Sequence, residues 1–587
     1  MSATLLKLPN LSHLGPLSVI PKIQEIGLIG LGFRISLGSF HCLRDAFRPM
    51  SRWLSSSGAA GAATLLSRIL GFVRESAYAA FMGTGPVADA FFLAFQIPNL
   101  FRRLLGEGAL SSAFIPVFKE TERKDGVSAA WRVGLACTWA VFLACTAICL
   151  VLLGGVSLVL WYSNSKSNVY FHIDIHTELM FQLLRWMLPY LPMVCVAAGF
   201  IGMLNARNHF FLPALGATML NVVMLASIWW LAPHFGAELH TQIFALAVGV
   251  VVAGVAQAAF QIPSLVSEGF QFRWLSPWKE PAVREVARRM GPSVIGVAAF
   301  QINTVLCQSF AYTHGREIVS SFNYAVRLME LPQGVVGISL ATVLLTELST
   351  LAVDKKFPEF RSTLTEGLQQ LIFLTLLPLV LLLTLSEPIV RLLFERGQFR
   401  AASTAQVTLM MLCLSPSLMA FSLNNVLARA FYALGDTKTP MRISLAAIAA
   451  NFVAAFISVS LMPKAGLAIA NSTSATMQCF LLFYALKRKQ PKFDLPTLFA
   501  PVLRMGLAGL AAAGTALAAL WAWNRWIGNT GLPARLGATF VPMALASAGY
   551  FWVSTALGIR EAADVLGVFR RRRRRTDAAP NPAETSG

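Results

Sequence analysis

Asp89-Ala-Phe-Phe-Leu-Ala-Phe-Gln96-Ile-Pro98-Asn99-Leu-Phe-Arg102-Arg103 is the stretch on which the reading of this chain turns. Apolar in bulk, it sets Asp89, Phe92, Gln96, Asn99 and Arg103 on one helical face. That face is too polar for lipid, so it is predicted to look inward, and Pro98 permits a bend in mid-helix. The pattern returns 234 residues later, where Asn323, Glu330, Leu331, Pro332 and Gln333 fall on Asp89, Gln96, Ile97, Pro98 and Asn99. The second copy carries a polar stripe of Ser320, Asn323, Arg327, Glu330 and Gly334, with Arg327 and Glu330 close enough to pair.

The rest of the chain sets these two segments in a membrane. Of 587 residues, 56% are hydrophobic and only 13% charged, about half the ~25% charge of a soluble domain. Mean hydropathy is +0.62. The apolar content suffices for roughly fourteen spans of ~20 residues. Soluble enzymes, coiled coils and disordered scaffolds are excluded. Spans are predicted near 57–81, 86–117, 133–160, 178–204, 210–232, 241–266, 285–312, 317–346, 361–385, 403–432, 440–461, 465–486, 499–523 and 535–557. The repeat therefore joins the second span to the eighth, an even shift that makes the copies parallel. Such duplication marks transporters with a substrate site between two lobes. The fold class is all-α and polytopic, with about 14 transmembrane helices: two six-helix lobes, 50–267 and 285–487, and two extra helices at 498–558.

Charge orients the chain. The formal balance is +20, concentrated in alternate loops (Lys119, Arg123, Lys124 and Arg132; Arg273, Lys279, Arg284, Arg288 and Arg289; Lys355, Lys356 and Arg361; Lys487 to Lys492) and in Arg570–Arg575 of the 559–587 tail, with Arg391, Arg396 and Arg400 of the 387–400 stretch as the exception on the other side. The positive-inside rule then places both termini in the cytoplasm, and the tail reads as a contact for anionic lipid, not nucleic acid. Residues 1–49 lack a full span, and Met50 reads as the natural start. The upstream leader is otherwise disordered or interfacial.

Charges within spans are costly and mark function. The first span holds Ser67-Arg68-Ile-Leu-Gly-Phe-Val-Arg74-Glu75, with Ser67 and Arg74, and likewise Arg68 and Glu75, on shared stripes. Inward arginines with few acids suit an anion, since guanidinium clamps phosphate oxygens in pairs.

These residues, followed by Ala88-Asp89-Ala-Phe-Phe, Ile97-Pro98-Asn99-Leu-Phe-Arg102-Arg103 and Gly106-Glu107-Gly108-Ala, resemble the opening of the MurJ (MviN) lipid II flippases of the multidrug/oligosaccharidyl-lipid/polysaccharide exporter superfamily. Arg288 to Pro292, Arg327 to Pro332, Phe394 to Phe399 and Phe431 to Pro440 extend the resemblance over about residues 50–560. It implies a V-shaped alternating-access cavity in a bacterial inner membrane. In that cavity Arg68, Arg74, Arg102 and Arg327 would face the diphosphate of lipid II, with Ser67, Asp89, Asn99, Ser320 and Glu330 lining or gating it. It also implies a lipid-tail groove in the last two helices, whose Ala- and Gly-rich cores, with Gly509, Ala513 and Gly549, would either leave such a trough or pack as a simple helix hairpin. Membrane lipid and other cell-wall synthesis proteins are candidate partners. Two departures are Glu75, where aspartate is common, and Val326, where many members carry an acid before Arg327. The alternatives are an exporter of another polyprenyl-diphosphate glycan and a multidrug antiporter. A membrane enzyme would need clustered acids or a nucleophile–base pair, and the acids here are scattered.

No cofactor or metal is called for. The eight cysteines form no CxxC, and His172-Ile-Asp174-Ile-His176 offers three ligands in a loop that needs no metal to explain it. No nucleotide-binding loop is present, which excludes a self-contained ATP-driven pump. The residues leave the driving force open among membrane potential, sodium and chloride.

Overall fold

A computed structural model describes residues 54–106, 109–163, 173–565 and 567. The leader and the arginine tail lie outside the described residues. Every regular element described is helical, and the helices group into fourteen passes. The first is α1 (Leu54–Met82). The second combines α2 (Pro86–Phe101), a π-helical turn at Arg102–Gly106 and α3 (Ala109–Asp125). The third is α4 (Val127–Ser163), and the fourth α5 (Ile175–Met187) with α6 (Tyr190–Ala206). The short helices α7 (Phe211–Gly216) and α8 (Thr218–Ala226) form the fifth, and α9 (Leu239–Ser267) the sixth.

The second half follows the same plan. It runs through α10 (Pro281–His314), then α11 (Ile318–Pro332), a π-helical turn at Gln333–Gly337, and α12 (Ile338–Val353). Next come α13 (Phe357–Thr384), the short α14 (Ser386–Phe394), and α15 (Ala401–Leu414) with α16 (Pro416–Ala433). Then α17 (Lys438–Leu461) and α18 (Gly466–Lys489) complete the half, and α19 (Leu495–Trp526) and α20 (Leu532–Ala556) come after it.

The breaks repeat with the sequence. Pro98 precedes the π turn of the second pass and Pro332 abuts that of the eighth; each lacks an N–H and so frees a carbonyl one turn back. The fourth and tenth passes bend by 43° and 41°, at Pro189 and at Ser415-Pro416. Six single helices, the near-continuous Phe211–Phe235 stretch and these two bent pairs are long and apolar enough to cross a membrane. The other five passes (α1, α2–α3, α10, α11–α12 and α18) fall short in unbroken length or in composition. Three of them carry the polar stripes, which turn away from lipid and so need not be apolar.

The last two helices are fastened to α13. Tyr550 donates to the Phe373 carbonyl at 2.8 Å, and their rings stack at 5.1 Å. A Cβ on Gly509 would lie 3.2 Å from Leu376, and one on Gly549 would lie 3.3 Å from Thr515. These glycines let helices approach closely.

In the loop before α17, Gly435 takes a left-handed φ of +73°, which a glycine accepts without strain. Asp436 accepts from Lys489 Nζ at 2.6 Å, and from the Thr439 amide at 3.0 Å, and so caps α17. The Lys489 contact, and then the capping amide, hold its carboxyl well below the ordinary carboxylate range. A depressed value contributes stability that is present above the ordinary range, near ~3.9, and is lost as pH falls through the folded value. Asp436→Ala is expected to cost about 1 kcal/mol at pH 7. In thermal melts the gap to wild type should narrow below about pH 4; a gap constant with pH would refute the charged cap.

Candidate functional site

Between α1 and α11 lies a cavity of about 470 Å³, lined by Ser67, Arg68, Gly71, Phe72, Arg74, Glu75, Arg327, Glu330, Leu331, Gln333 and Gly334. Helical spacing brings these residues together. On α1, positions 67, 71 and 74 share one stripe and 68 and 75 the adjacent one; on α11, positions 327, 330 and 334 share another. A Cβ on Gly334 would collide with the Arg68 guanidinium, so glycine there lets that arginine lie against the π turn.

The charges form a chain. Arg74 Nη2 donates to Glu75 Oε1 at 2.5 Å, and Arg327 Nε lies 3.4 Å from the same oxygen. Arg327 Nη1 donates to Glu330 at 2.8 Å. The carboxylate opposite Arg327 therefore comes from Glu75 in the other half, which offsets the missing acid at Val326. Arg74 is 8% exposed and Glu75 is 3% exposed, and the Arg74 guanidinium sits 5.3 Å from the Tyr78 ring centroid. Two donors remain unused. Arg68 has no carboxylate partner among the described residues, and Arg74 Nε is buried without a hydrogen-bond partner. Three cations against two anions leave one net positive charge, a smaller excess than the spacing alone implies, because Glu75 joins the set.

The other expected site residues sit elsewhere. Asp89 Oδ1 accepts from the Ser320 backbone N–H at 2.7 Å. It thereby caps α11 from the opposite half, where Glu317 at the helix start supplies no side-chain cap. Asp89 faces a second pocket, of about 440 Å³, with Asp174, His176, Tyr312 and Arg316. His172 is outside the described residues. Asn99 Oδ1 accepts from Arg102 Nε at 2.8 Å beside the π turn, and neither lines the arginine cavity. Asp89, Ser320, Asn99 and Arg102 are thus separated from the cluster in which they were expected. Spacing along one chain carries no distances across the halves, so a cap supplied by the opposite half was not legible.

One end of the cavity is shut by contacts between the halves. The Gln398 N–H donates to the Ala80 carbonyl at 2.9 Å, and Ser76 Oγ to the Leu393 carbonyl at 2.7 Å. Thr84 and Ser403 hydroxyls meet at 2.6 Å, and Tyr324 OH donates to the Gly83 carbonyl at 3.2 Å. Gly83 and Gly397 both take φ of +59°. A Cβ on Gly83 would press on the Gln398 carbonyl at 2.6 Å, and one on Gly397 on that of Ala80. Glycine is required at both for conformation and for backbone approach.

Known proteins agree with this architecture. A solved structure described as lipid II flippase MurJ in an inward closed conformation superposes with a TM-score of 0.68 at 21% identity, covering 85% of this chain and 98% of that one. A multidrug resistance MATE family transporter in an inward-facing conformation gives 0.59 at 14% identity, over 74% and 99%. These likenesses establish the fold. In sequence, the probable lipid II flippase MurJ of Rhizobium tropici is 32% identical over 523 residues, 89% of this chain and 96% of the relative. The lipid II flippase MurJ of Burkholderia cenocepacia is 30% identical over 522 residues, 87% and 97%. The family model described as lipid II flippase MurJ matches residues 78–533. With the match spanning most of the chain and both halves of the fold within it, the chain belongs to the MurJ family of lipid II flippases.

Proposed function

We propose that this protein moves lipid II from the cytoplasmic to the periplasmic leaflet of a bacterial inner membrane, by alternating access of the 50–267 and 285–487 lobes. The observation that carries the reading is the buried Arg74 with its unused Nε–H, beside Arg68, which has no carboxylate partner among the described residues. A diphosphate brings two negative charges and several acceptor oxygens, which would satisfy both guanidiniums. It would compete with Glu75 for Arg74 and Arg327, and with Glu330 for Arg327. Asp89 and Ser320 act at the far end as part of the closure, not as headgroup ligands. The positive-inside pattern of the loops supports cytoplasmic termini; in that orientation the closed end faces the periplasm and the arginine cavity loads from inside.

Membrane lipid is the medium in which the isoprenoid chain travels, and the reading is of transport without bond-making. A multidrug antiporter shares the fold, but a cavity of three arginines suits an anion better than a cationic drug. The test is depletion of the protein in its host, with measurement of lipid II sidedness. Lipid II is expected to accumulate in the inner leaflet; undiminished arrival at the outer leaflet would refute the reading.

A further inference from the structure

The segment joining the two halves carries a surface that lies outside both pockets. Along Gln271-Phe-Arg-Trp-Leu-Ser-Pro-Trp-Lys279, the aromatic residues are turned outward: Phe272 is 67% exposed, Trp274 64% and Trp278 79%. They are held there from behind. Pro277 is buried, and Leu275 packs on the core formed by Phe118, Trp131, Phe200 and Phe270. Trp139 of α4 donates its indole N–H to the Arg273 carbonyl at 3.1 Å. Its ring meets Phe272 at 5.5 Å and Trp274 at 4.5 Å. Three large rings fixed in the open are not a loop that failed to bury itself.

The charges around the rings are unbalanced. Glu280 is taken by Arg132 at 2.9 Å, and Glu285 by Arg288 and Arg289 at 3.3 and 2.7 Å. Arg273, Lys279 and Arg284 have no carboxylate partner among the described residues; Arg273 bonds the side-chain amide of Gln271, at 2.6 Å. The acids are spent within the protein, and cations remain beside exposed tryptophans.

The position of this surface identifies its cover. Trp139 stands near the start of the apolar part of α4, the helix on which Leu150 and Val151 are 63% and 74% exposed on the way to its other end. The ring patch therefore continues a lipid-facing helix surface at the level where its polar end begins. Tryptophan beside arginine and lysine at that level matches the interfacial layer of a bilayer, rings among upper acyl carbons and cations at headgroup phosphates. We infer that residues 271–284 form an interfacial anchor that selects anionic phospholipid. It fastens the joint between the two halves to the leaflet surface, independently of the lipid II site.

The test uses the full chain in nanodiscs of phosphatidylcholine containing brominated phosphatidylglycerol or, in a parallel set, brominated phosphatidylcholine. The Trp274 and Trp278 signal is the difference between wild type and a Trp274→Phe/Trp278→Phe variant. Each surface cation enriches anionic lipid roughly fivefold, so quenching by the glycerol lipid should exceed that by the choline lipid at least about twofold, and 0.5 M salt should reduce the excess. Arg273→Gln/Lys279→Gln/Arg284→Gln should abolish it. Equal quenching by the two lipids in wild type, no quenching by either, or an excess that survives both salt and the triple variant would overturn the proposal. The comparison of the two lipids in wild type, which needs only the conservative Trp274→Phe/Trp278→Phe pair, stands even where the triple charge variant fails to fold.

Discussion

Arg74→Ala is expected to abolish complementation of a depleted strain, and Arg327→Ala to do the same. Arg74 is buried, pairs with Glu75 at 2.5 Å, and keeps one donor unused. Its removal deletes the charge-assisted bonds offered to the diphosphate, about 1.5–3 kcal/mol for each. It also leaves the buried Glu75 with only the longer contact to Arg327, and uncompensated buried charge costs about 3–5 kcal/mol. Together these imply a loss of at least about 100-fold in transport. Arg74→Lys keeps the charge but not the planar fork, and should recover only part of the activity. Growth is read against the amount of protein in the membrane, which separates transport from insertion. Normal growth with Arg74→Ala at normal membrane levels would remove that residue from the mechanism.

A large loss, of more than about tenfold, is also expected from Gly83→Val or Gly397→Val, although neither touches the cavity. Both glycines hold φ of +59°, a region a β-branched residue enters at a cost of roughly 1–3 kcal/mol. Each Cβ would also press into a carbonyl of the opposite half, which cannot yield as a side chain would. The closure should then fail while the arginines remain intact. Headgroup-analogue affinity and transport should therefore separate, the first kept and the second reduced by more than about tenfold. Cysteines at 84 and 403, which replace hydroxyls 2.6 Å apart, supply a direct readout. They should cross-link in an otherwise unaltered chain and lose the cross-link when Gly83→Val is added. A cross-link formed equally well in both would show that the glycines do not govern closure.

The fold was legible where sequence carries periodicity. The 234-residue repeat, the mid-helix prolines and the inward stripes all come from spacing alone, and the passes obey them. Arg68, Arg74 and Arg327 were legible because charge inside an apolar run has few explanations. Partnership across the halves was less so. Nothing in Asp89 announces that it will cap α11 through Ser320, since a cap is ordinarily sought within the same few residues. Arg102 reads like the other arginines until its Nε is seen on Asn99, beside a π turn that re-aims the side chains of α3. Gly509 and Gly549 were ambiguous because a small side chain serves a trough and a tight helix contact equally. Only the neighbour, Leu376 or Thr515, decides between them.

Two of the three π turns among the described residues, the matched ones at Arg102–Gly106 and Gln333–Gly337, have a mechanical consequence. A π turn holds about one residue more than an α turn, so side chains beyond it are rotated out of phase with those before it. In the second pass, Asp89 and Asn99 belong to one angular setting. Phe114 and Phe118 belong to another, locked among Trp131 and Phe200. Each such span is thus two rods meeting at a torsional joint. Its far rod can stay seated in its own half while the near rod swivels with the cavity. Both halves carry the joint, so the two lobes have matched points at which such a swivel is geometrically open. Removing one residue from either turn would rewind it to a plain α-helix and bring the two rods into a single phase, fusing the joint.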